Sequence, residues 1–269
     1  DQWPLKQDRL QIIHGLVQEQ LAAGHIVSSS SPWNTPIFII PKKSGKWRLL
    51  HYLRAVNAVI QDMGVLQPGL PTPVMIPKDW HLLIIDLKDC SFTIPLHPVD
   101  AEKFAFTVSA INKQEPAKRF HWVVVPQGMK NSPMICQTFV TWALQPFWNR
   151  HPELLVYHYM DDILVAGKEL EHQSVFVELG PKITIKGRRQ TGLKIAPEKV
   201  QRQAPWRYLG WVITGSAVRP QKILLTTKIR TLSDVQKLMG DIQWVRSVVG
   251  VTNDDLSPLM SLLGSSVSA

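Results

Sequence analysis

The stretch Leu154-Leu155-Val156-Tyr157-His158-Tyr159-Met160-Asp161-Asp162-Ile163-Leu164-Val165-Ala166 decides how this chain is read. Two apolar runs flank four residues, so the pattern predicts a tight β-hairpin with Asp161 and Asp162 side by side at its tip. Buried arms hold such a tip rigidly, and two adjacent anions repel each other unless a divalent cation stands between them. A third carboxylate has a similar setting. Asp86 ends the run Leu82-Leu83-Ile84-Ile85, the signature of a short buried strand. Three carboxylates from two strands can hold two hard cations, as phosphoryl transfer by a two-metal route requires. Taken alone, an Asp-Asp pair is also ordinary turn chemistry. The surrounding segments have to decide.

The 269 residues are 45% hydrophobic, ample for a core and long enough for one large domain or two to three small ones. Lys and Arg number 30 against 21 Asp and Glu, a formal charge of +9. That balance suits a polyanionic partner, nucleic acid first. No membrane partner is expected, because there is no basic amphipathic helix of the required kind and no apolar run long enough to span a bilayer. Cys90 and Cys136 supply neither a disulfide framework nor zinc spacing, which suits a reducing compartment. No signal peptide is legible, and an opening Asp1 reads as a processed product or a fragment.

Along the chain, Lys6 to Ala23 predicts an amphipathic helix with Leu10, Ile13, Val17 and Leu21 on one stripe and Gly24 as its left-handed end. Ser28 to Pro32 reads as loop. Ile37–Ile40 and Trp47–Leu50 read as a hairpin with a basic tip, and Arg54–Val59 as a short helical piece. The stretch around Pro68, Pro71, Pro73 and Pro77 reads as an irregular connection. Phe104–Val108 and Phe120–Val125 read as a strand pair, and Pro126-Gln127-Gly128-Met129 as a turn. Ser132 is placed as the cap of a helix carrying Ile135, Phe139 and Ala143 on one face. Glu169 onward starts as a helix, Lys182–Lys186 alternates like a strand, and Tyr208–Ile213 and Val218–Pro220 read as a last strand pair. From about Thr231 the chain is helical.

In this order the segments resemble the reverse transcriptases of retroviruses, in wording nearest the alpha- and betaretroviral or endogenous-retroviral type. The resemblance is carried by Trp3-Pro4-Leu5, Trp33-Asn34-Thr35-Pro36, Lys46-Trp47-Arg48-Leu49-Leu50, Leu53-Arg54-Ala55-Val56-Asn57 and Asp86-Leu87-Lys88-Asp89-Cys90. It continues through Phe104-Ala105-Phe106-Thr107, Pro126 to Met129, Ser132-Pro133, Tyr159 to Asp162, Lys194 to Val200, Tyr208-Leu209-Gly210 and Asp234 to Leu238. It implies an α+β right-hand polymerase: an antiparallel-sheet palm backed by helices, mixed fingers and a helical thumb. The expected boundaries are fingers at 1–62 and 94–131, palm at 63–93 and 132–214, and a partial thumb at 215–269.

The implied activity is RNA-directed DNA polymerisation. Asp86, Asp161 and Asp162 would be the catalytic residues and ligands of two Mg²⁺ ions, with Mn²⁺ as a substitute. Lys42, taken in preference to Lys43, and Arg48 would clamp the triphosphate of an incoming deoxynucleotide. Asp89, Cys90, Ser91, Gln127 and Met160 would lie against that nucleotide. Tyr208, Leu209, Gly210 and Trp211 would grip the primer end of an RNA or DNA template–primer duplex. On the C-terminal helix, Gln236, Gly240 and Trp244 recur every fourth residue and would face the duplex minor groove. Val235, Leu238, Ile242 and Val245 form a second, inward stripe. Dimerisation is open, and a cytoplasmic or virion-associated setting is inherited from the family.

Three departures keep other readings in play. Tyr52 stands where related enzymes carry an aspartate. Ser91 replaces the Phe or Tyr whose ring excludes a 2′-hydroxyl. Val175 to Thr191 does not resemble the family helix behind the catalytic hairpin. A catalytically silent endogenous-retroviral relic that still binds nucleic acid, or a polymerase-like structural subunit, are therefore the alternatives to a live enzyme.

Overall fold

The computed structural model describes residues 2–42, 45–64, 71, 73–111, 115–179, 193–221 and 228–263. The strand expected at Lys182–Lys186 and the rest of 180–192 lie outside the described residues, as does part of the proline-punctuated connection. The chain forms two compact units, one of residues 1–72 and 80–202, the other of 73–79 and 203–269.

In the first unit, helix α1 (Gln7–Ala22) buries Leu10, Ile13 and Val17 as its spacing predicts, and Gly24 follows at φ +72°. Strand β1 (Ile26–Ser28) was not anticipated. It gains its partner late in sequence, pairing with β6 (Lys118–Trp122), which also pairs with β5 (Ala105–Val108). Strands β2 (Ile37–Pro41) and β3 (Trp47–His51) form the expected hairpin. Helix α2 spans Arg54–Val59 and helix α3 spans Pro98–Ala101.

The remaining sheet has the order β7-β8-β4-β9, from β7 (Leu155–Tyr159), β8 (Asp162–Gly167), β4 (His81–Lys88) and β9 (Lys194–Ile195), all antiparallel. Strand side chains alternate between faces. Leu83, Ile85, Leu87, Ile163 and Val165 share one face and join a core with Cys136, Val140, Leu144 and Phe147 of α4 (Ser132–Arg150). Each such buried side chain contributes about 1.5–3 kcal/mol. This stripe of α4 is set one residue on from the expected Ile135, Phe139 and Ala143, which are only partly buried beside it. Ser132 does not cap α4. Its hydroxyl instead donates to the Pro126 carbonyl at 2.9 Å, which ties the helix start to the preceding turn.

Helix α5 spans His172–Leu179. The helix read from Glu169 onward is present, and within it Val175 and Leu179 enter the same core. Glu178 joins α5 to the end of α4 by pairing with Arg150 and with His151 Nε2, the latter at 2.8 Å.

In the second unit a 3-10 turn occupies Pro73–Met75, where irregular chain was expected. The run read as one strand from Tyr208 is two, β10 (Trp206–Tyr208) and β11 (Trp211–Ile213), followed by β12 (Val218–Pro220). Leu209 and Gly210 turn between β10 and β11 at φ +44° and +80°, and two consecutive positive φ values match the right-handed twist of a hairpin. Helices α6 (Leu232–Val249) and α7 (Asn253–Leu262) each start in a capping box, Thr231 with Asp234 and Thr252 with Asp255.

Two buried histidines carry a pH signature. His51 holds Thr35 Oγ1 at 2.5 Å, and His158 approaches Thr141 of α4 at 3.0 Å. Burial pushes the pKa of each down from 6.5 to about 4. An unfolded chain takes up these protons below pH 6.5, whereas the folded chain refuses them until about pH 4. Each site's contribution is therefore complete above pH 6.5 and falls with acidification by ~1.4 kcal/mol per pH unit between those limits. Measured by urea unfolding, wild type loses stability relative to His51→Gln as pH drops from 6.5 to 4. A pH-independent difference between the two would refute this.

Candidate active site

The hairpin tip is built as its sequence predicts. Tyr159 and Asp162 are paired across β7 and β8, which leaves Met160 and Asp161 as a two-residue turn. Met160 takes φ +54°, a left-handed conformation that costs a non-glycine residue of order 1 kcal/mol. Its strain is met from below: the Met160 N–H donates to Gln137 Oε1 of α4 at 2.6 Å. Gln137 escaped the sequence reading. The one signal for it is an amide placed next to the apolar stripe of α4.

Asp86 lies inside β4 rather than at its end, because Leu87 and Lys88 continue the strand and pair with β9. Asp86 stands directly opposite Asp162 in the ladder. Even-numbered positions face away from α4, so both carboxylates project from the sheet face opposite the helix. The Leu87 N–H donates to the Asp161 carbonyl at 2.8 Å, which fastens the turn to β4. The structure thus brings Asp86, Asp161 and Asp162 together.

Their electrostatics show crowding. Burial, then the charges of Asp161 and Asp86, push Asp162 up to about 6. Burial and the charge of Asp86 likewise raise Asp161. The cation that answers them is Lys199, whose Nζ lies 2.7 and 2.8 Å from the two Asp86 oxygens. Lys199 also escaped the sequence reading, although it falls within the Lys194–Val200 segment. Among the described residues no three His, Cys, Asp or Glu side chains are already gathered as a metal cage. The donor chemistry nevertheless fits a hard divalent cation: oxygen donors only, with more negative charge than one ammonium balances.

The other expected residues are distributed as follows. Asp89, exposed at φ +50°, precedes a 3-10 turn at Cys90–Thr93. Cys90 turns its sulfur into the core, where the Cys136 thiol donates to it at 2.7 Å. That hydrogen bond, and burial after it, hold the Cys90 thiol above its usual range. Ser91 is partly exposed, and the ring beside it, Phe92, is committed to stacking on Trp122 at 5.2 Å. Gln127 is half-buried in the turn that ends at Gly128, φ +93°. Asn57 of α2 grips this turn through Gly128 O at 2.9 Å and the Lys130 N–H at 2.8 Å.

Lys42 and Arg48 are exposed on the separate β2–β3 hairpin. Tyr52 packs its ring 4.8 Å from Trp3, with the Arg54 guanidinium 5.8 Å from its centroid. In the second unit Tyr208 is buried, Leu209, Gly210 and Trp211 are half-buried, and Gln236 and Gly240 are exposed on α6. The side chain of Trp244 lies outside the described residues. No described helix is long and apolar enough to cross a membrane.

The family model described as reverse transcriptase (RNA-dependent DNA polymerase) matches residues 40–213. The reverse transcriptase thumb domain model matches residues 220–267. The chain is 53% identical over 265 residues to a Gag-Pro-Pol polyprotein of Simian retrovirus SRV-2 and 52% identical over 265 residues to that of Mason-Pfizer monkey virus. It is 49% identical over 264 residues to that of Mouse mammary tumor virus (strain BR6). Each alignment covers 98% of this chain and 15% of the polyprotein, so the chain spans a small part of these relatives. With both family models matched in order and this identity along nearly all its length, the chain belongs to the reverse transcriptase (RNA-dependent DNA polymerase) family.

Proposed function

We propose that this chain is the fingers, palm and partial thumb of a retroviral RNA-directed DNA polymerase, extending a primer by template-directed nucleotidyl transfer. The observation that carries the reading is the pair Asp86 and Asp162 on one face of an antiparallel sheet, with Asp161 in the turn beside them, at a tip held from the other face by α4. In this reading the fingers are 1–62 and 94–131, the palm 63–93 and 132–214, and the partial thumb 215–269. The basic balance of the chain supports a template–primer duplex of RNA or DNA as partner. The setting is that of a cytoplasmic or virion-associated polymerase.

Asp86, Asp161 and Asp162 hold two Mg²⁺ ions, with Mn²⁺ as a substitute. When bound, the ions supply a lowered pKa for the primer 3′-hydroxyl and charge compensation for the departing pyrophosphate. The protein's own work is positioning. Lys42 and Arg48 hold the triphosphate, Arg48 with the planar fork that suits phosphate oxygens. The backbone of Asp89 and Cys90 lies under the nucleotide, and Gln127 and Met160 border its sugar and the primer end. Tyr208 to Trp211 grip the primer, while Gln236, Gly240 and Trp244 line the duplex minor groove. An open space beside Gly240 permits the close approach that such a contact needs.

Tyr52 and Ser91 favour a second reading, a silent relic that binds nucleic acid without extending it. Primer extension on an RNA template with Mg²⁺ and deoxynucleotides separates the two. Wild type extends and Asp161→Asn/Asp162→Asn does not; a folded wild type that never extends establishes the relic. In the live enzyme Ser91 leaves room for a 2′-hydroxyl, so wild type accepts ribonucleotides readily. Ser91→Phe then lowers their incorporation relative to deoxynucleotides by at least tenfold, and strong rejection by wild type itself would sink the idea. Loss of the Met160 tether in Gln137→Leu lowers kcat by ~10-fold or more with little change in nucleotide KM, as misplacement of a reacting group does. An unchanged kcat removes Gln137 from the positioning role.

A further inference from the structure

Lys199 is delivered to Asp86 by a clamped stretch of backbone. On one side of it the Ala196 N–H donates to the Asp86 carbonyl at 2.9 Å, and on the other Gln201 exchanges two backbone hydrogen bonds with Ile84, at 2.9 and 3.0 Å. Both anchors are on β4, the strand that carries Asp86. Between them a 3-10 turn, Pro197–Lys199, sends the lysine back over the strand. The backbone is fixed, so only the side chain is able to move, and 57% of it is exposed. Asp86, by contrast, keeps 20% exposure.

This geometry has a cost for any cation that uses Asp86. One ammonium satisfies both carboxylate oxygens at 2.7 and 2.8 Å. The same ammonium also acts on Asp161 and Asp162, whose negative charges it favours. Ordinary exposed ion pairs contribute little, because one charge faces one charge through water. Here one compact, flexibly tethered cation faces three carboxylates on a half-buried face.

We propose that Lys199 is a displaceable counter-ion of the carboxylate cluster: it occupies Asp86 while the site lacks a divalent cation, and must swing away for one to bind. The proposal rests on the metal-binding reading given above. Lys199 stabilises the apo cluster against its own repulsion and competes with the ion for the same oxygens. Its loss therefore tightens divalent binding on two counts. The competitor is gone, and a nearby positive charge no longer repels the ion.

The test uses the full chain without nucleic acid, with Mn²⁺ as the probe and calorimetry as the readout. Lys199→Met binds Mn²⁺ roughly tenfold tighter than wild type, the scale of one partly screened charge at contact distance. Lys199→Arg, which keeps the charge, stays near wild type. In wild type, acylation of the Lys199 amine, read by mass spectrometry, speeds up when Mn²⁺ is added. This second measurement carries the test even if Lys199→Met fails to fold. If wild type binds Mn²⁺ through the triad but neither Lys199→Met nor the labelling rate shows the change, the counter-ion role is overturned and the metal site stands. If neither wild type nor Lys199→Met binds Mn²⁺, or Asp161→Asn/Asp162→Asn binds it equally well, the metal site itself falls and the counter-ion role with it.

Discussion

Two opposed negative charges on one face of a sheet, with a third in the turn beside them, are the constraint around which this molecule is arranged. Like charges directly opposite each other weaken a β-ladder, and Asp86 faces Asp162 in just that position. Burial disfavours the charged forms and the neighbouring charges add to this, so protons are held on Asp161 and Asp162 more tightly than on ordinary carboxylates. An unconstrained chain would relieve this by twisting the strands or turning the side chains away. Here the odd-numbered residues of the same strands are locked into the core beneath α4, so the even-numbered carboxylates have nowhere else to go.

The apolar face therefore does more than stabilise. Leu83, Ile85, Ile163 and Val165 fix the register, and the register fixes which carboxylates meet. Helix α4 serves both purposes at once. Val140 and Leu144 bury against the sheet, while Gln137 reaches past it to hold the turn that places Asp161. The strain at Met160 persists because both the ladder and the helix define that turn.

Much of this could be read from residues alone. The hairpin, α1, α2 and the β2–β3 pair follow from periodicity and turn chemistry, which are local properties. What escaped was set by distant partners. Strand β1 is three residues long and exists because β6, far along the chain, completes it. The buried stripe of α4 shifted by one residue because the sheet beneath chooses among neighbouring apolar positions. Tyr208–Ile213 split into two strands because Leu209 and Gly210 both adopt positive φ, and a leucine gives no warning of that. Gln137 and Lys199 were invisible for the same reason. Their partners, Met160 and Asp86, lie 23 and 113 residues away.

The anchoring of β9 has a consequence for its register. Its place is set by Leu87 opposite Ile195 and Lys88 opposite Lys194, and is secured by the Ala196 and Gln201 contacts to β4. None of these bonds involves the residues between α5 and Leu193. The ladder re-indexes the chain when it rejoins the sheet. The register of β9 against the strand that carries Asp86 is thus set by its own residues and by β4.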